Sequence, residues 1–171
     1  MSKRDLKKYL NELTKEQLEE QVLELYDKFK DVKVYYDFVF NPRENDLVKD
    51  AKLKISNEYF PIRGKKPKMR RSVAQKFIKH FITLGVDSFI IADVMLYTIE
   101  IAQTLSAEKD IKQEAFYKSM LNSFEQAISF MIKKGILSDF KSRVVAISAE
   151  TLSQNWMNQY EFNAIVERFD Y

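Results

Sequence analysis

The sequence predicts an all-α fold of about seven helices, arranged as a helical bundle or as a short array of helical hairpins. Glycine and proline number only three each among 171 residues, whereas a β-rich chain needs many turns that contain them. Apolar side chains also recur at the helical spacing of three to four residues along almost the whole sequence. The length suits a single domain that spans residues 1–171 and buries a core of its own.

The first two predicted helices carry complete start signals. Ser2 is positioned to cap the first helix, and Thr14 with Gln17 forms a capping box for the second. The second helix is acidic along its length, through Glu16, Glu19, Glu20, Glu24 and Asp27. Because these carboxylates would repel phosphates, the pair is interpreted as an αα-hairpin for packing or partner binding, and not as a nucleic-acid site.

Residues 32–40 are ambiguous between a strand and a helix. Alternate positions are apolar, as in a half-buried strand, at Val32, Val34, Tyr36, Phe38 and Phe40. The apolar residues of the same segment fit a helical stripe equally well. Since a strand needs a partner and no second convincing strand is found in the sequence, a helix is favoured here.

Five further helices are predicted to cover approximately residues 41–59, 72–84, 87–105, 110–134 and 138–169. Gly85 and Gly135 follow apolar helical stretches and are expected to adopt the left-handed conformation that ends many helices. The similar runs 78–86 and 128–136 also fit a solenoid repeat, although any two helices that end in glycine look alike. The predicted core includes the aromatic residues Phe77, Trp156 and Tyr160.

Positive charge is concentrated in one part of the chain, residues 61–80, which we call the basic segment. The chain has 28 Lys and Arg against 25 Asp and Glu, and without the eight basic residues of this segment the balance would be 20 against 25. Residues 59–86 contain no Asp or Glu, and a Pro/Gly loop occupies residues 61–71. The eight basic residues are Arg63, Lys65, Lys66, Lys68, Arg70, Arg71, Lys76 and Lys79.

The basic segment predicts a site for an anion, although cations beside a loop also serve to solubilise an exposed turn. Arg70 and Arg71 can each grip a phosphate with two N–H groups, and the helix that starts near Ser72 adds the positive end of its dipole. Nucleic acid or an acidic protein is the expected partner. The sequence therefore favours a non-enzymatic binding or adaptor protein whose basic surface contacts an anionic partner.

A second polar feature is a narrow stripe on the most apolar predicted helix. Four residues form the stripe, namely Asp93, Tyr97, Glu100 and Thr104. If the stripe lines a cleft opposite Lys76 or Lys79, the alternative function is an enzyme that acts on a phosphorylated or anionic substrate. The two carboxylates lie roughly 10 Å apart along the axis, too far to share a metal ion. Otherwise the stripe is an exposed helix edge, or it pairs with basic side chains for structural reasons.

No catalytic motif, cofactor motif or metal site is identified. The chain has no cysteine and one histidine, which excludes disulfides and thiolate metal sites. The first residues lack an apolar signal core, and the apolar stretch 89–105 contains Asp93 and Glu100, so it is too short and too charged for a membrane span. A cytoplasmic location without a cofactor is therefore expected.

Five segments of the sequence share the pattern of a known family. They are residues 2–10 (SKRDLKKYL), 35–42 (YYDFVFNP), 71–81 (RSVAQKFIKHF), 84–87 (LGVD) and 92–103 (ADVMLYTIEIAQ). Together they resemble a small bacterial family whose common region is a domain of unknown function. The resemblance covers most of the chain and implies a helical bacterial protein, but it carries no catalytic residues across.

Overall fold

The computed structural model describes residues 2–62 and 66–168, and these residues form nine α-helices and no strand. The helices are α1 (Lys3–Asn11), α2 (Lys15–Lys28), α3 (Lys30–Phe40), α4 (Glu44–Tyr59), α5 (Arg71–Leu84), α6 (Ser88–Glu108), α7 (Glu114–Lys134), α8 (Leu137–Ser153) and α9 (Gln159–Glu167). The all-α prediction is confirmed, and residues 32–40 are helical as favoured. The chain divides into two compact units, unit 1 (Met1–Arg43) and unit 2 (Glu44–Tyr171), described separately below. The organisation as one domain stays a prediction.

Unit 1 contains α1, α2 and α3, and its first two helices begin as predicted. The Asp5 N–H donates to Ser2 Oγ at 3.2 Å, and the Ser2 N–H donates to the Asp5 carboxylate at 3.0 Å, which completes a capping box. Thr14 and Gln17 form the same arrangement at the start of α2. No side chain of these three helices is buried. Unit 1 therefore has local start signals but no fully buried core.

Unit 2 is built around α6, which packs against α4, α5, α7 and α8. Buried side chains occur along α6 from Ile91 to Leu105 and point to several sides of the helix. By length and composition α6 could cross a membrane, but a core helix meets the same test, and 56% of the stretch is buried. The central position of α6 in unit 2 accounts for its apolar character.

Two helices end at glycines, as predicted. Gly85 has a φ of 77° and Gly135 a φ of 70°, both in the left-handed region. After Gly85, the Val86 N–H donates to the Phe81 carbonyl at 3.1 Å, which is the bond of a Schellman motif. A Cβ added at either glycine would meet no atom within 4 Å. Both glycines are therefore needed for their backbone conformation and not for close packing.

A third turn of the same kind has no glycine to signal it. Asn155 adopts a φ of 53°, and the Trp156 N–H donates to the Thr151 carbonyl at 3.0 Å. This turn ends α8 at Ser153 and allows α9 to start at Gln159. The helical region predicted over 138–169 consequently contains two helices, and the predicted count of about seven is low; residue 169 lies outside the described residues.

The Asn155 turn places Trp156 in the core of unit 2, which confirms the prediction for this residue. Its side chain is 1% exposed. The ring packs against those of Phe116, Tyr117 and Phe162, with centroids 5.5, 5.3 and 5.8 Å away. Its indole N–H donates to Ser106 Oγ at 3.0 Å, so the one polar atom of the ring is satisfied.

The other two predicted core aromatics are less buried. Phe77 is half-buried on α5. Tyr160 is 73% exposed, so its prediction as a core residue is wrong. It stands two residues before Phe162, about 200° around α9. The face that buries Phe162 therefore leaves Tyr160 in solvent.

Candidate functional site

The basic segment leads from the end of α4 into α5. Four of its lysines are exposed and form no ion pair within the described part of the chain; we call them the lysine surface, and they are Lys66, Lys68, Lys76 and Lys79. Two more predicted site residues, Arg63 and Lys65, lie outside the described residues. Lys68 also interacts electrostatically with Glu58, whereas the ammonium groups of Lys66, Lys76 and Lys79 have no acidic partner among the described residues and remain available to an external anion.

The two arginines that the structure describes in this segment already have intramolecular partners. Arg70 Nε and Nη2 donate to the Glu58 carboxylate at 2.8 and 2.7 Å. Arg71 Nε donates to Ser123 Oγ at 2.8 Å, and Arg71 Nη2 is buried. Burial lowers the pKa of the Arg71 guanidinium. The guanidinium of Arg70 thus binds a carboxylate of the protein itself, and that of Arg71 is hydrogen-bonded within unit 2.

Glu58, in the last turn of α4, holds the basic segment in place. Its carbonyl accepts from the N–H groups of Lys68 and Met69 at 2.9 and 3.0 Å, while its carboxylate accepts from Arg70. The hydrogen bond from Arg70 lowers the pKa of Glu58. Met69 has a φ of 51°, an uncommon conformation for a residue other than glycine. The sequence marks Glu58 only as the last acid before the acid-free stretch.

We expect Glu58→Gln to lower the free energy of unfolding by about 1–2 kcal/mol at pH 7, because a neutral amide replaces the charged acceptor of Arg70. The pKa of Glu58 is lowered in the folded state. The stabilisation that Glu58 provides is therefore complete above the ordinary carboxyl pKa and is lost as the pH falls through the pKa of the folded state. Urea denaturation followed by circular dichroism should therefore show a smaller difference from wild type at about pH 3. An equal difference at both pH values would contradict this role.

The N-terminus of α5 adds hydrogen-bond donors to the same region. Arg70 occupies the N-cap position, and no side chain there accepts a hydrogen bond from the first turn. The first N–H groups of a helix have no acceptor within the helix and carry the positive end of its dipole. Together with Lys68 immediately before the helix and Lys76 on it, this helix end makes a positively charged region of unit 2.

The stripe residues Asp93 and Glu100 belong to an ion cluster that joins three helices. Arg143 of α8 donates to Asp93 Oδ1 at 2.7 Å and to both oxygens of Glu100 at 2.5 and 2.7 Å. Lys52 of α4 pairs with Asp93 Oδ2 at 2.6 Å. A single guanidinium thus bridges two carboxylates that are too far apart to share one metal ion.

The side chains of this ion cluster are about two-thirds buried, and its two positive charges balance its two negative charges. The side chains of Asp93, Glu100 and Arg143 are 32%, 33% and 28% exposed. Burial alone would raise the pKa of Asp93, but hydrogen bonds from Lys52 and Arg143 outweigh burial and lower it. The hydrogen bond to Glu100 raises the pKa of Arg143. Asp93 is therefore ionised at neutral pH, and both of its oxygens are occupied.

The remaining stripe residues also have partners. The Tyr97 hydroxyl forms a hydrogen bond with Ser56 of α4, and Lys52 Nζ lies 4.9 Å from the centroid of the Tyr97 ring. Thr104 Oγ1 donates to the Glu100 carbonyl at 2.9 Å. The cations that the structure places on the stripe are Lys52 and Arg143, which no sequence signal identifies. Among the described residues, no group of three or more potential metal ligands occurs.

Comparison with known proteins identifies a family and nothing more specific. No curated protein and no solved structure matches this chain. The model of the Family of unknown function (DUF6155) matches residues 1–170. The match extends over the whole chain and includes all five segments on which the resemblance was based. The chain belongs to DUF6155, a family of unknown function.

Proposed function

We propose that this protein is a non-enzymatic binding or adaptor protein of the cytoplasm, and that its lysine surface contacts the phosphate backbone of a nucleic acid. The observation that carries the proposal is the exposure of four lysines that form no ion pair among the described residues, Lys66, Lys68, Lys76 and Lys79, within a stretch that contains no acid. The free N–H groups at the start of α5 support an anionic ligand at the same place. A bacterial origin, which the resemblance implied, stays a prediction.

The chemistry of the lysine surface favours binding that does not depend on nucleotide sequence. An ammonium group acts as a point charge, whereas a guanidinium reads a base edge or a phosphate through two fixed N–H groups. Arg70 is exposed but its guanidinium is hydrogen-bonded to Glu58, and Arg71 is engaged with Ser123, so the exposed cations of the described basic segment that form no ion pair are lysines. Contacts of lysines to phosphates supply affinity and steering but little sequence information.

Affinity for nucleic acid should fall steeply with salt. Four phosphate contacts give a slope of log affinity against log salt of about −3.6 on a duplex and about −2.8 on a single strand. We expect these slopes in titrations of fluorescent RNA and DNA at several salt concentrations. Reversal of the lysine surface (Lys66→Glu, Lys68→Glu, Lys76→Glu and Lys79→Glu) should remove nearly all of the slope.

The matched control reverses four exposed, unpaired lysines elsewhere in unit 2: Lys49, Lys109, Lys112 and Lys133. Both variants carry the same net charge, so only the position of the charge differs between them. Equal binding by the two variants would place the anion site elsewhere. If the wild-type protein binds neither RNA nor DNA at low salt but binds a polyglutamate peptide, the partner is an acidic protein. Failure to bind any of the three would refute an anion-binding function.

No observation favours the alternative of an enzyme that uses the stripe. General acid–base catalysis needs a carboxyl group that can reach the substrate. Asp93 and Glu100 both accept hydrogen bonds from Arg143, and Asp93 also pairs with Lys52. These contacts support a structural role for the stripe, as one of the readings of the sequence anticipated.

A further inference from the structure

Unit 1 exposes an unusual amount of apolar surface for its size. Nine of the eighteen large apolar side chains that are exposed in the described residues lie in this unit, which is about a quarter of the described chain. Leu23 on α2 is 64% exposed, and Leu6 and Tyr9 on α1 are 43% and 46% exposed. Exposed apolar side chains in such number are a feature of surfaces that take part in interactions.

The size of unit 1 also argues that it needs a partner. It spans Met1–Arg43, and chains of about 40 residues or fewer usually require disulfides, metals or oligomerisation to stay folded. The chain has no cysteine, and the described residues contain no cluster of three potential metal ligands. Association with another chain is one remaining means of stabilisation for a unit of this size.

One face of α2, which we call the α2 face, carries apolar side chains bordered by charged ones. Leu18, Val22 and Leu23 are the apolar residues of this face, and Lys15 and Glu19 lie beside them. These positions follow the three- and four-residue spacing of a single helical stripe. The α2 face thus offers apolar side chains with a charged border, which suits the apolar face of another amphipathic helix.

The two helices of the hairpin carry opposite and largely unpaired charge. Helix α1 has four cations against one acid, a net charge of +3, through Lys3, Arg4, Lys7, Lys8 and Asp5. Helix α2 has two cations against five acids, a net charge of −3, through Lys15, Lys28, Glu16, Glu19, Glu20, Glu24 and Asp27. Within the described residues, the four cations of α1 and the acids Glu16, Glu20 and Asp27 form no ion pair.

We propose that two copies of this chain associate through unit 1, with α1 of one copy packed on the α2 face of the other. A two-fold arrangement forms this contact twice, because each copy supplies one basic and one acidic helix. Packing α2 against α2 would bring five acids of each copy together and is disfavoured by their repulsion. Leu6 and Tyr9 of one copy then cover Val22 and Leu23 of its partner.

The test is a pair of charge-reversed variants of the full chain. The first carries Lys3→Glu, Lys7→Glu and Lys8→Glu, which changes the charge of α1 from +3 to −3. The second carries Glu16→Lys, Glu20→Lys and Asp27→Lys, which changes the charge of α2 from −3 to +3. None of the replaced side chains has an ion pair within the described chain, so neither variant breaks one. In each variant α1 and α2 have the same sign, but the two variants complement each other.

Sedimentation velocity over a range of protein and salt concentrations gives the dissociation constant of the dimer. We expect the wild type to dimerise and to dissociate as salt rises. Each variant alone should dimerise at least tenfold more weakly, and an equimolar mixture should return to within about threefold of the wild-type constant. Recovery on mixing also excludes misfolding as the cause of the loss. A control with Lys49→Glu, Lys109→Glu and Lys112→Glu in unit 2 should dimerise as the wild type does.

The apolar part of the contact is tested with Leu23→Ala. Leu23 is already 64% exposed, so its truncation should leave helicity unchanged while weakening the dimer at least tenfold. Leu53→Ala on α4, where the side chain is 56% exposed, is the matched control. A wild type that stays monomeric at about 100 μM in low salt overturns the proposal, whichever other partner unit 1 has. Two results would contradict the pairing of α1 with α2. In the first, both charge variants dimerise with the wild-type dissociation constant. In the second, the equimolar mixture dimerises no more tightly than either variant alone.

Discussion

Replacement of Trp156 by alanine is expected to lower the free energy of unfolding by about 3–5 kcal/mol, the usual cost of truncating a buried aromatic side chain. Trp156 is 1% exposed and sits among the rings of Phe116, Tyr117 and Phe162. The loss is a large share of the total stability of an ordinary domain, about 5–15 kcal/mol. Urea denaturation followed by far-ultraviolet circular dichroism measures it, since the variant has no tryptophan for fluorescence.

Tyr160→Ala is the control for the Trp156 experiment. Both positions appear as core residues in the sequence, but Tyr160 is 73% exposed, and exposed positions usually change stability by less than about 0.5 kcal/mol. The two denaturation midpoints should therefore separate clearly. Similar midpoints for the two variants would contradict the turn at Asn155, which places these aromatic residues in different environments.

The second large effect is expected on removal of Arg143. We expect Arg143→Leu to lower the free energy of unfolding by about 3 kcal/mol. Breaking a buried ion pair costs about 3–5 kcal/mol, and the lower end applies because these side chains are about one-third exposed. The cost arises mainly from Glu100, which loses its only cationic partner among the described residues, whereas Asp93 keeps its ion pair with Lys52. Chemical denaturation at pH 7 measures the change.

Two controls separate this charge effect from simple loss of packing. Adding Glu100→Gln to the Arg143→Leu variant should recover most of the stability, because Asp93 keeps Lys52 and no uncompensated carboxylate then remains. The deficit of Arg143→Leu should also shrink as the pH falls below about 4, since protonated carboxyl groups no longer need the guanidinium. In the wild type the pKa of Asp93 is lowered, so the stabilisation that its carboxylate provides is lost only as the pH falls through that lowered pKa. A deficit that is independent of pH would show that Arg143 acts by packing alone.

Local signals were sufficient to predict most helix starts and ends. The N-cap at Ser2, the capping box at Thr14 and the turns at Gly85 and Gly135 depend on residues within a few positions of one another, and all four are confirmed. The turn at Asn155 was missed because asparagine adopts the left-handed conformation less regularly than glycine does. That one omission also explains the error at Tyr160 and much of the low helix count.

The candidate sites could be predicted only in part, because their partners come from distant parts of the sequence. The stripe on α6 is visible as a pattern, but Lys52 and Arg143 reach it through the packing of α4 and α8. Glu58 likewise contacts Arg70 across a loop. Sequence spacing identifies side chains that share a face of one helix, whereas these contacts depend on how separate helices pack.

The lack of buried side chains in α1, α2 and α3 has an energetic consequence for the proposed dimer. Regions with few buried contacts open locally at low free energy, while central helices such as α6 open only near the limit of global unfolding. If association also orders α1–α3, part of the interaction energy offsets lost conformational entropy, and the dimer is weaker than its contact area suggests. Hydrogen exchange would then slow in unit 1 as protein concentration rises, with little change in α6. Such an arrangement suits reversible assembly, in which the N-terminal helices respond to the amount of protein while unit 2 stays folded.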